Sequence, residues 1–385
     1  MMNNLELTLE EKQLTDVLLA KIKHKITDSG GSISFADYMQ MALYDIEYGY
    51  YTNKKYKLGA FGDFITAPNV SGLFGLCISQ QIKELWRNDV HRNILEFGAG
   101  NGRLMLDLLA ELGNEIDTYY ILEISPNLRA LQQESLKENY PQYIHNVKWL
   151  DNVPNTFNGI IIANELLDAM PCEMVNFTED GIFQVHVSIN EETNNLVYYD
   201  EHATGELLKL ANQLPIITRP YRTEISLTNR GFMNLLGDII ETGAVLLIDY
   251  GHAQSEYYHP QKSNGTIRGF FRHQQLNDVL HIVGLMDITA NVDFSSIYNV
   301  AQNVDLDLVG YTNQANFLIN CGLTDLLEEV RQHASDKAYL TLSNQANRLI
   351  SPNGMGEIFK VIGFSKGINF TNWRGFQIND KSYLL

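Results

Sequence analysis

Residues 93–102 have the sequence Asn-Ile-Leu-Glu-Phe-Gly-Ala-Gly-Asn-Gly, and this stretch decides the fold. Its first five residues predict a buried β-strand, and residues 103–112 predict an amphipathic helix. Glycines between a strand and a helix permit positive φ and let a ligand approach the backbone, while the first N–H groups of the helix attract an anion. The stretch therefore predicts a cofactor-binding loop. The predicted cofactor contacts are Glu96, Gly98, Gly100 and Gly102.

Two classes of cofactor use such a loop, and the position of the third glycine separates them. The dinucleotide fingerprint Gly-x-Gly-x-x-Gly needs a glycine where Arg103 stands. This chain has Gly-x-Gly-x-Gly preceded by an acid, which is the methyltransferase form. A tight turn with only a structural role is the alternative. We expect S-adenosylmethionine as the cofactor, with its carboxylate at the helix N-terminus.

Beyond residue 90, short apolar runs alternate with amphipathic segments, which is typical of a parallel sheet covered by helices on both faces. Strands are predicted at residues 93–97, 119–123, 147–150, 159–163, 243–249, 305–310 and 357–363. Helices are predicted at residues 103–112, 126–139 and 231–241. The expected fold is α/β: a class I methyltransferase (Rossmann-like) sheet of seven mostly parallel strands.

The domain organisation is predicted from the segments that depart from this alternation. Residues 1–90 are expected to form an N-terminal helical extension and a lid-like loop, and residues 91–385 the cofactor-binding domain. Short alternating strands predict an insertion at about 172–225, between the fourth and fifth core strands on the substrate side. From the lid-like loop, Asp63 and Thr66 are predicted to contact the cofactor. A loop that only covers the core is the alternative.

Two further acids are placed at strand ends. Glu123 ends the second strand, where a carboxylate can accept hydrogen bonds from both ribose hydroxyls. Enzymes that use NAD have the same arrangement, so Glu123 predicts a nucleoside ligand without choosing the cofactor. Asp151 follows the third strand and is predicted to bind the adenine amino group, although a plain loop acid is an equal alternative.

The predicted catalytic residues follow the strand at residues 159–163. Asn164, Glu165 and Asp168 come at its carboxyl end, beside the glycine loop. A helical turn would place the carboxylates of Glu165 and Asp168 on one face. Such a pair suits a guanidinium nucleophile, whose pKa exceeds ~12, because two carboxylates can align it and hold its charge. The alternative is that Asp168 only complements a helix N-terminus.

Composition limits the partners. The net charge is −18, from 46 acidic and 28 basic residues, and such a surface repels nucleic acids and anionic membranes. We therefore expect no nucleic-acid partner and suspect a protein substrate. The ten histidines do not cluster at ligand spacing, so no metal is expected. Three separated cysteines, an N-terminus without a targeting pattern and the lack of a long apolar stretch predict a cytoplasmic protein without membrane insertion.

Motifs spread along most of the chain resemble the MidA family of class I methyltransferases. They include Glu47-Tyr48-Gly49-Tyr50-Tyr51, and they continue at residues 62–68, 123–126, 164–169, 247–251, 265–268, 287–290 and 355–360. The chain departs from the family pattern at Ala99 and Asn101, where proline and arginine are usual. It departs again at Asn69 and Asn291, where glutamate and histidine are usual. The glycines are kept, so cofactor binding should survive, whereas Asn69 and Asn291 could line the substrate side.

The resemblance implies a methyltransferase dependent on S-adenosylmethionine. For a mitochondrial member of the family it implies methylation of a protein arginine during assembly of respiratory complex I. Two alternatives stay open for this chain: an assembly chaperone that binds the cofactor with little catalysis, and a methyltransferase for small molecules. The oligomeric state is left open as well.

The glycine loop generates a first prediction. S-adenosylmethionine and its demethylated product should both bind, because Gly-x-Gly-x-Gly and Glu123 suit that ligand, whereas NAD should not bind. Calorimetric titration with the three ligands measures this directly. Tighter binding of NAD than of S-adenosylmethionine would contradict the cofactor assignment.

Overall fold

The computed structural model describes residues 7–53 and 66–385. Its strands, in chain order, are β1 (Ser32–Ser34), β2 (Asn93–Phe97), β3 (Thr118–Leu122), β4 (Val147–Leu150), β5 (Phe157–Asn164), β6 (Glu173–Thr178), β7 (Gly181–Ile189), β8 (Leu196–His202), β9 (Tyr221–Ile225), β10 (Ile240–His252), β11 (Arg268–Phe271), β12 (Gln274–Leu276), β13 (Asp287–Thr289), β14 (Val292–Asp293), β15 (Asp307–Asn313) and β16 (Phe359–Lys366).

The α-helices of the described residues are α1 (Leu9–Asp28), α2 (Phe35–Tyr44), α3 (Ala67–Val70), α4 (Leu73–Arg87), α5 (Arg103–Leu112), α6 (Pro126–Asn139), α7 (Gly205–Ala211), α8 (Leu227–Ile239), α9 (Gln254–Tyr257), α10 (Phe294–Ala301), α11 (Gln314–Asn320), α12 (Leu323–His333), α13 (Asp336–Ile350) and α14 (Met355–Ile358). Of these, α5 and α6 have the predicted bounds. Helix α8 begins before the predicted residue 231. It also ends before the predicted residue 241, because Ile240 already pairs with β5.

The large sheet has the order β15-β16-β10-β5-β2-β3-β4, with the two-residue β14 pairing with β10. The five strands from β10 to β4 are parallel to their neighbours, and β16 is antiparallel to both β10 and β15. The predicted α/β class is confirmed, and the sheet is mixed. Strands β2 and β4 have the predicted bounds, whereas β15 and β16 lie two residues later at their starts than predicted.

Helices cover this sheet on both faces, and the apolar run in β10 shows why. Leu246 and Ile248 point to one face of the sheet, where they pack in a core with residues of α4 and α5 such as Leu108. Val245 and Leu247 point to the opposite face and pack with α8 and α10. Because successive side chains of a strand alternate between faces, a strand buried on both sides is apolar at every position.

A second, antiparallel sheet is formed mainly by strands between residues 173 and 225. Its order is β1-β7-β6-β9, and β8 pairs with β7. Helices α1 and α2 pack on this sheet, where Ile22 and Phe35 contact the same core as Val185 and Val187. Helix α4, in contrast, packs on the large sheet. Helices α1 and α2 thus pack with the second sheet, whereas α4, which also precedes residue 90, packs with the large sheet.

A third sheet, with the order β12-β11-β13, and the helical pair α12 and α13 have no counterpart in the predictions. The strands of this sheet have only three or four residues, which is too short for a two-residue alternation to emerge from the sequence. Among the described helices, none combines the length and the apolar character needed to cross a membrane.

Candidate active site

The carboxyl ends of β2, β3 and β5 open into a cavity of about 350 Å³. Its wall combines the glycine loop, Glu123 and the residues after β5 with Tyr44, Tyr51 and Thr66 from the N-terminal part of the chain. Ligands of doubly wound sheets bind at this edge, where the crossover connections diverge. The volume lies within the range of ~300–1,000 Å³ that is usual for small-molecule sites.

All three glycines of the loop have left-handed backbone conformations. Gly98 has φ +66°, Gly100 has φ +56° and Gly102 has φ +78°. Gly98 and Gly100, two of the predicted cofactor contacts, line the cavity, but Gly102 does not. Gly102 instead precedes α5, and a Cβ there would lie 3.1 Å from Gln132 Cγ. Gly102 is therefore required by the turn and by the close approach of α6.

The acids on β2 and after β3 both line this cavity. Glu96 is buried and accepts a hydrogen bond of 2.7 Å from the Tyr119 hydroxyl, and burial raises the pKa of Glu96 to about 7. Glu123 accepts hydrogen bonds from the Ser125 N–H (2.9 Å) and from Gln132 Nε2 (3.3 Å). Burial also raises the pKa of Glu123.

Gln132 is a structural part of the site that the sequence interpretation missed. Its Nε2 donates to the Gly100 carbonyl at 2.8 Å as well as to Glu123, and its Oε1 accepts from Trp149 Nε1 at 2.8 Å. The side chain is fully buried and ties Glu123 to the glycine loop. A signal was present: Gln132 stands between Leu128 and Leu136 on the i, i+4 stripe of α6, where an apolar residue would be expected.

Asp151 does not join the site. Its side chain is 80% exposed and forms an ion pair of 2.6 Å with Arg129. Val153, two residues later, lines the cavity in its place. Asp151 had been predicted to bind the adenine amino group, and the structure corrects that placement, because the chain after β4 turns the carboxylate toward α6 and solvent.

Of the two residues predicted from the lid-like loop, Asp63 lies outside the described residues. Thr66 lines the cavity and precedes the short helix α3. Its hydroxyl accepts a hydrogen bond from Asn69 Nδ2 at 2.7 Å, and Asn69 Oδ1 accepts one from Asn101 Nδ2 at 2.8 Å. Two of the positions that depart from the family pattern, Asn69 and Asn101, thus contact each other and join α3 to the glycine loop.

Glu165 lies at the cavity wall in an unusual backbone conformation. Its φ is +53°, and its N–H donates to the Ile248 carbonyl at 2.8 Å. The carboxylate accepts hydrogen bonds from the Ala67 N–H at 3.0 Å and from Asn164 Nδ2 at 3.2 Å. Burial raises the pKa of Glu165 to about 8. A left-handed glutamate is strained, and such strain concentrates at functional sites.

The residues after Glu165 form a turn instead of the expected helical turn. Asp249, on β10, is fully buried, and its Oδ2 accepts hydrogen bonds from the N–H groups of Leu166 (3.1 Å), Leu167 (2.8 Å) and Asp168 (3.2 Å). These bonds stabilise a turn in which residues 165–168 have no helical bonding. The predicted helix geometry is therefore wrong, and so is the alternative in which Asp168 complements a helix N-terminus.

Asp168 lies behind the cavity wall, whereas Asn164 and Glu165 line the cavity itself. The Asp168 side chain is buried, and the Tyr250 hydroxyl is the side-chain group that most favours its ionised form. Burial raises the pKa of both Asp168 and Asp249, and the nearby charge of Asp168 adds to the raised pKa of Glu165. The two predicted carboxylates are thus electrostatic neighbours, although only one faces the cavity.

Two tyrosines complete the site from the N-terminal side. The rings of Tyr44 and Tyr51 stack with centroids 5.4 Å apart, and both line the cavity. The Tyr44 hydroxyl donates to the Ala169 carbonyl at 3.0 Å, and the Tyr51 hydroxyl donates to Asp287 Oδ1 at 2.8 Å. The sequence interpretation did not assign them a role, although the aromatic cluster at residues 48–51 was an available signal.

A strand–glycine loop–helix unit with an acid at the end of the next strand is typical of a nucleoside-binding site, and the Gly-x-Gly-x-Gly spacing favours a methyltransferase. Comparison with known proteins agrees with this class. The model of the family described as "Putative S-adenosyl-L-methionine-dependent methyltransferase" matches residues 77–312. The chain belongs to this family, and the predicted activity and cofactor are thereby confirmed.

Relatives and solved structures extend the match to nearly the whole chain. Protein arginine methyltransferase NDUFAF7 of Danio rerio, a mitochondrial protein, is 31% identical over 364 residues, covering 86% of this chain and 82% of the relative. The homologue in Caenorhabditis elegans is 28% identical and covers 90% and 83%. A Burkholderia thailandensis protein solved with S-adenosyl-homocysteine bound is 35% identical, with a TM-score of 0.92 over 99% of both chains.

Gly100→Val should abolish binding of S-adenosylmethionine, because the branched side chain would enter the cavity from a left-handed backbone. Gly205→Val is the matched control: its φ of +59° is close to the +56° of Gly100, and nothing lies within 4 Å of its added Cβ. Both variants should lose roughly 1–2 kcal/mol of stability to the conformation. Titration calorimetry and thermal unfolding measure the two effects. Normal cofactor affinity in Gly100→Val would contradict the assignment of the loop.

Proposed function

We propose that this chain transfers the methyl group of S-adenosylmethionine to a guanidinium nitrogen of an arginine in a protein. The observation that carries the proposal is the half-buried Glu165 carboxylate, held by the Ala67 N–H at the wall of the cavity beside the glycine loop. The names of the relatives support it, since proteins of this family from several animals are called protein arginine methyltransferases.

The residues around the cavity fit S-adenosylmethionine. Glu123 is proposed to accept hydrogen bonds from the ribose hydroxyls, because Gln132 and Ser125 hold its carboxylate at the rim. Gly98 and Gly100 leave room for the ligand beside the backbone, and the N-terminus of α5 attracts its carboxylate. Thr66 contacts the same cavity from α3. When bound, S-adenosylmethionine supplies an activated methyl group on a sulfonium sulfur.

Glu165 is proposed to hold the guanidinium by charge-assisted hydrogen bonds. Asp168 and Asp287 lie close enough to raise the Glu165 pKa, so the three carboxyl groups repel one another when ionised. A guanidinium relieves this repulsion because it brings a positive charge that stays protonated near neutral pH. The stacked faces of Tyr44 and Tyr51 add a second surface on which a planar cation can lie.

Glu165 is also proposed to accept the proton that the substrate releases during methyl transfer. As the N–C bond forms, the C–S bond breaks with its electron pair left on sulfur, and the guanidinium nitrogen must release one proton. A carboxylate whose pKa is raised to about 8 is a better proton acceptor than an ordinary glutamate. Asn164, which donates to Glu165 at 3.2 Å, is proposed to orient the carboxylate. Asp168 is proposed to act through its charge, since it lies behind the wall.

The proposal also covers the arrangement of the large sheet and the role of the second sheet. We regard the seven-strand path from β15 to β4 as the class I methyltransferase arrangement, and the insertion at 172–225 as the substrate side. Residues 169–171 support this placement, because they line the cavity and lead directly into β6.

Glu165→Gln should lower methyl transfer roughly ten- to a hundredfold, or ~1.5–3 kcal/mol, while S-adenosylmethionine affinity stays nearly unchanged. Asp168→Asn should have a smaller effect, because its carboxylate does not line the cavity. The assay is single-turnover transfer of labelled methyl groups to lysate protein, with mass spectrometry of the labelled residue.

Glu173→Gln is the control for this comparison. Glu173 is a partly buried carboxylate with a raised pKa, but it lies on β6 outside the cavity. This variant should transfer methyl groups at the normal rate. Equal rates for Glu165→Gln and the unmodified protein would overturn the carboxylate's role, and label on residues other than arginine would overturn the substrate class.

The pH dependence follows from the same carboxyl group. Because the Glu165 pKa is raised to about 8, the carboxyl group is protonated below that pH and ionised above it. At saturating S-adenosylmethionine, kcat/KM for the protein substrate should therefore rise with pH to a plateau. Its midpoint should lie at or below about 8, since the sulfonium charge favours the carboxylate. A flat profile between pH 6 and 9 in the unmodified protein would argue against an ionising Glu165.

A further inference from the structure

The active-site cavity has a neighbour on the far side of a thin wall. Residues 166–172 form this wall: Leu166, Ala169 and Pro171 line the larger cavity, and Leu167 and Cys172 line a smaller cleft of about 90 Å³. Met170 lines both spaces. A ligand that reaches the larger cavity beside Met170 is therefore one side chain away from the smaller cleft.

Side-chain amides are the most numerous type of polar side chain in the lining of the smaller cleft. Five carboxamides border it: Gln213, Asn229, Gln254, Asn291 and Asn299. Within the described part of the chain, only the Asn229 amide of these five forms a side-chain hydrogen bond, which it donates to the Leu167 carbonyl at 3.2 Å. Of the other four, Gln213 and Asn299 are exposed, whereas Gln254 and Asn291 are half-buried.

The charged groups of the cleft are already satisfied or balanced. The Glu224 carboxylate accepts hydrogen bonds from the Thr266 N–H (2.9 Å) and hydroxyl (2.9 Å) and the Ile267 N–H (3.3 Å). Asp293 accepts from the Tyr258 hydroxyl at 2.9 Å. Arg230 brings one positive charge to the same lining. A cleft with opposed, partnered charges and free amides favours a neutral polar group over an ion.

Asn229 gives an independent indication that the smaller cleft binds a ligand. Its side chain is 7% exposed, and its Oδ1 has no hydrogen-bond partner among the described residues. Leaving a buried acceptor unsatisfied is unfavourable by ~1–3 kcal/mol, so such atoms are uncommon unless something binds them. The Asn229 Oδ1 acceptor can bind a hydrogen-bond donor of a ligand, such as a hydroxyl, a carboxamide or a backbone N–H group.

We propose that this cleft is a specificity subsite, which binds a neutral hydrogen-bond donor of the polypeptide segment next to the methylated residue. The cleft has room for only a few heavy atoms, so it accepts a serine, threonine or asparagine side chain or one peptide unit. Met170 and the wall hold the two parts of the substrate at a fixed separation. This inference rests on the proposed protein substrate and adds a preference for its sequence.

The test uses fluorescein-labelled heptapeptides with a central arginine and the full chain saturated with S-adenosyl-homocysteine. Each flanking position carries serine, asparagine, leucine, aspartate or lysine in turn, and fluorescence anisotropy measures the affinity. At one flanking position, serine or asparagine should bind at least tenfold tighter than the other three residues. No peptide binding, no discrimination, or a preference for a charged or apolar residue would overturn the subsite.

Asn291→Phe fills the cleft, and Asn303→Phe is the matched control at an exposed position of the same region. The backbone N–H of Asn291 donates to Thr266, and this bond survives the substitution. Asn291→Phe should remove the flanking preference while peptides with leucine at that position bind within twofold of the unmodified chain. Asn303→Phe should keep the preference. A preference that persists in Asn291→Phe overturns the proposal.

Peptides with citrulline in place of the central arginine distinguish failure of the subsite from failure of the arginine assignment. Citrulline keeps the shape of arginine without its charge, so equal binding of both peptides contradicts the guanidinium proposal alone. Loss of the flanking preference in Asn291→Phe, seen with either peptide, still supports the subsite.

Discussion

The buried carboxylate of Asp249 is the constraint on which the rest of the site depends. By accepting three consecutive N–H groups from residues 166–168, it fastens the turn after β5 to β10, the neighbouring strand. That turn holds Glu165 at φ +53°, with its carboxylate against the Ala67 N–H. Without those bonds the chain after Asn164 would have three unsatisfied N–H groups in a buried position, which is the situation that helix N-termini resolve with a cap.

This arrangement gathers acids in a region that disfavours charge. Burial raises the pKa of Glu165, Asp168 and Asp249; the charge of Asp168 further raises the pKa of Glu165, and the charges of Asp168 and Glu165 further raise that of Asp249. Backbone N–H groups partly offset this effect at Asp249, and the Tyr250 hydroxyl and the Ala169 N–H partly offset it at Asp168. Clusters of carboxyl groups with strongly shifted pKa values are typical of sites that bind a cation or move a proton, and less typical of a site that only maintains the fold.

The sequence predicted the parts of the site that lie within one strand–loop–helix unit, because periodicity and glycine spacing act locally. Gly98, Gly100, Glu123 and Glu165 all line one cavity. Contacts between distant segments were not predictable in the same way. The roles of Asp249, Gln132 and Tyr51 depend on partners on other elements, and the exposure of Asp151 depends on its pairing with Arg129.

The same contrast explains how the N-terminal residues enter the site. Composition predicts a covering loop, but it does not show that Ala67 binds Glu165 or that Asn69 binds Asn101. Through these two bonds, one short segment contacts both the loop proposed to hold the cofactor and the carboxylate proposed to hold the substrate. A displacement of α3 would therefore change both sites together. Their alignment, on which an in-line displacement depends, is set by a segment that belongs to neither strand.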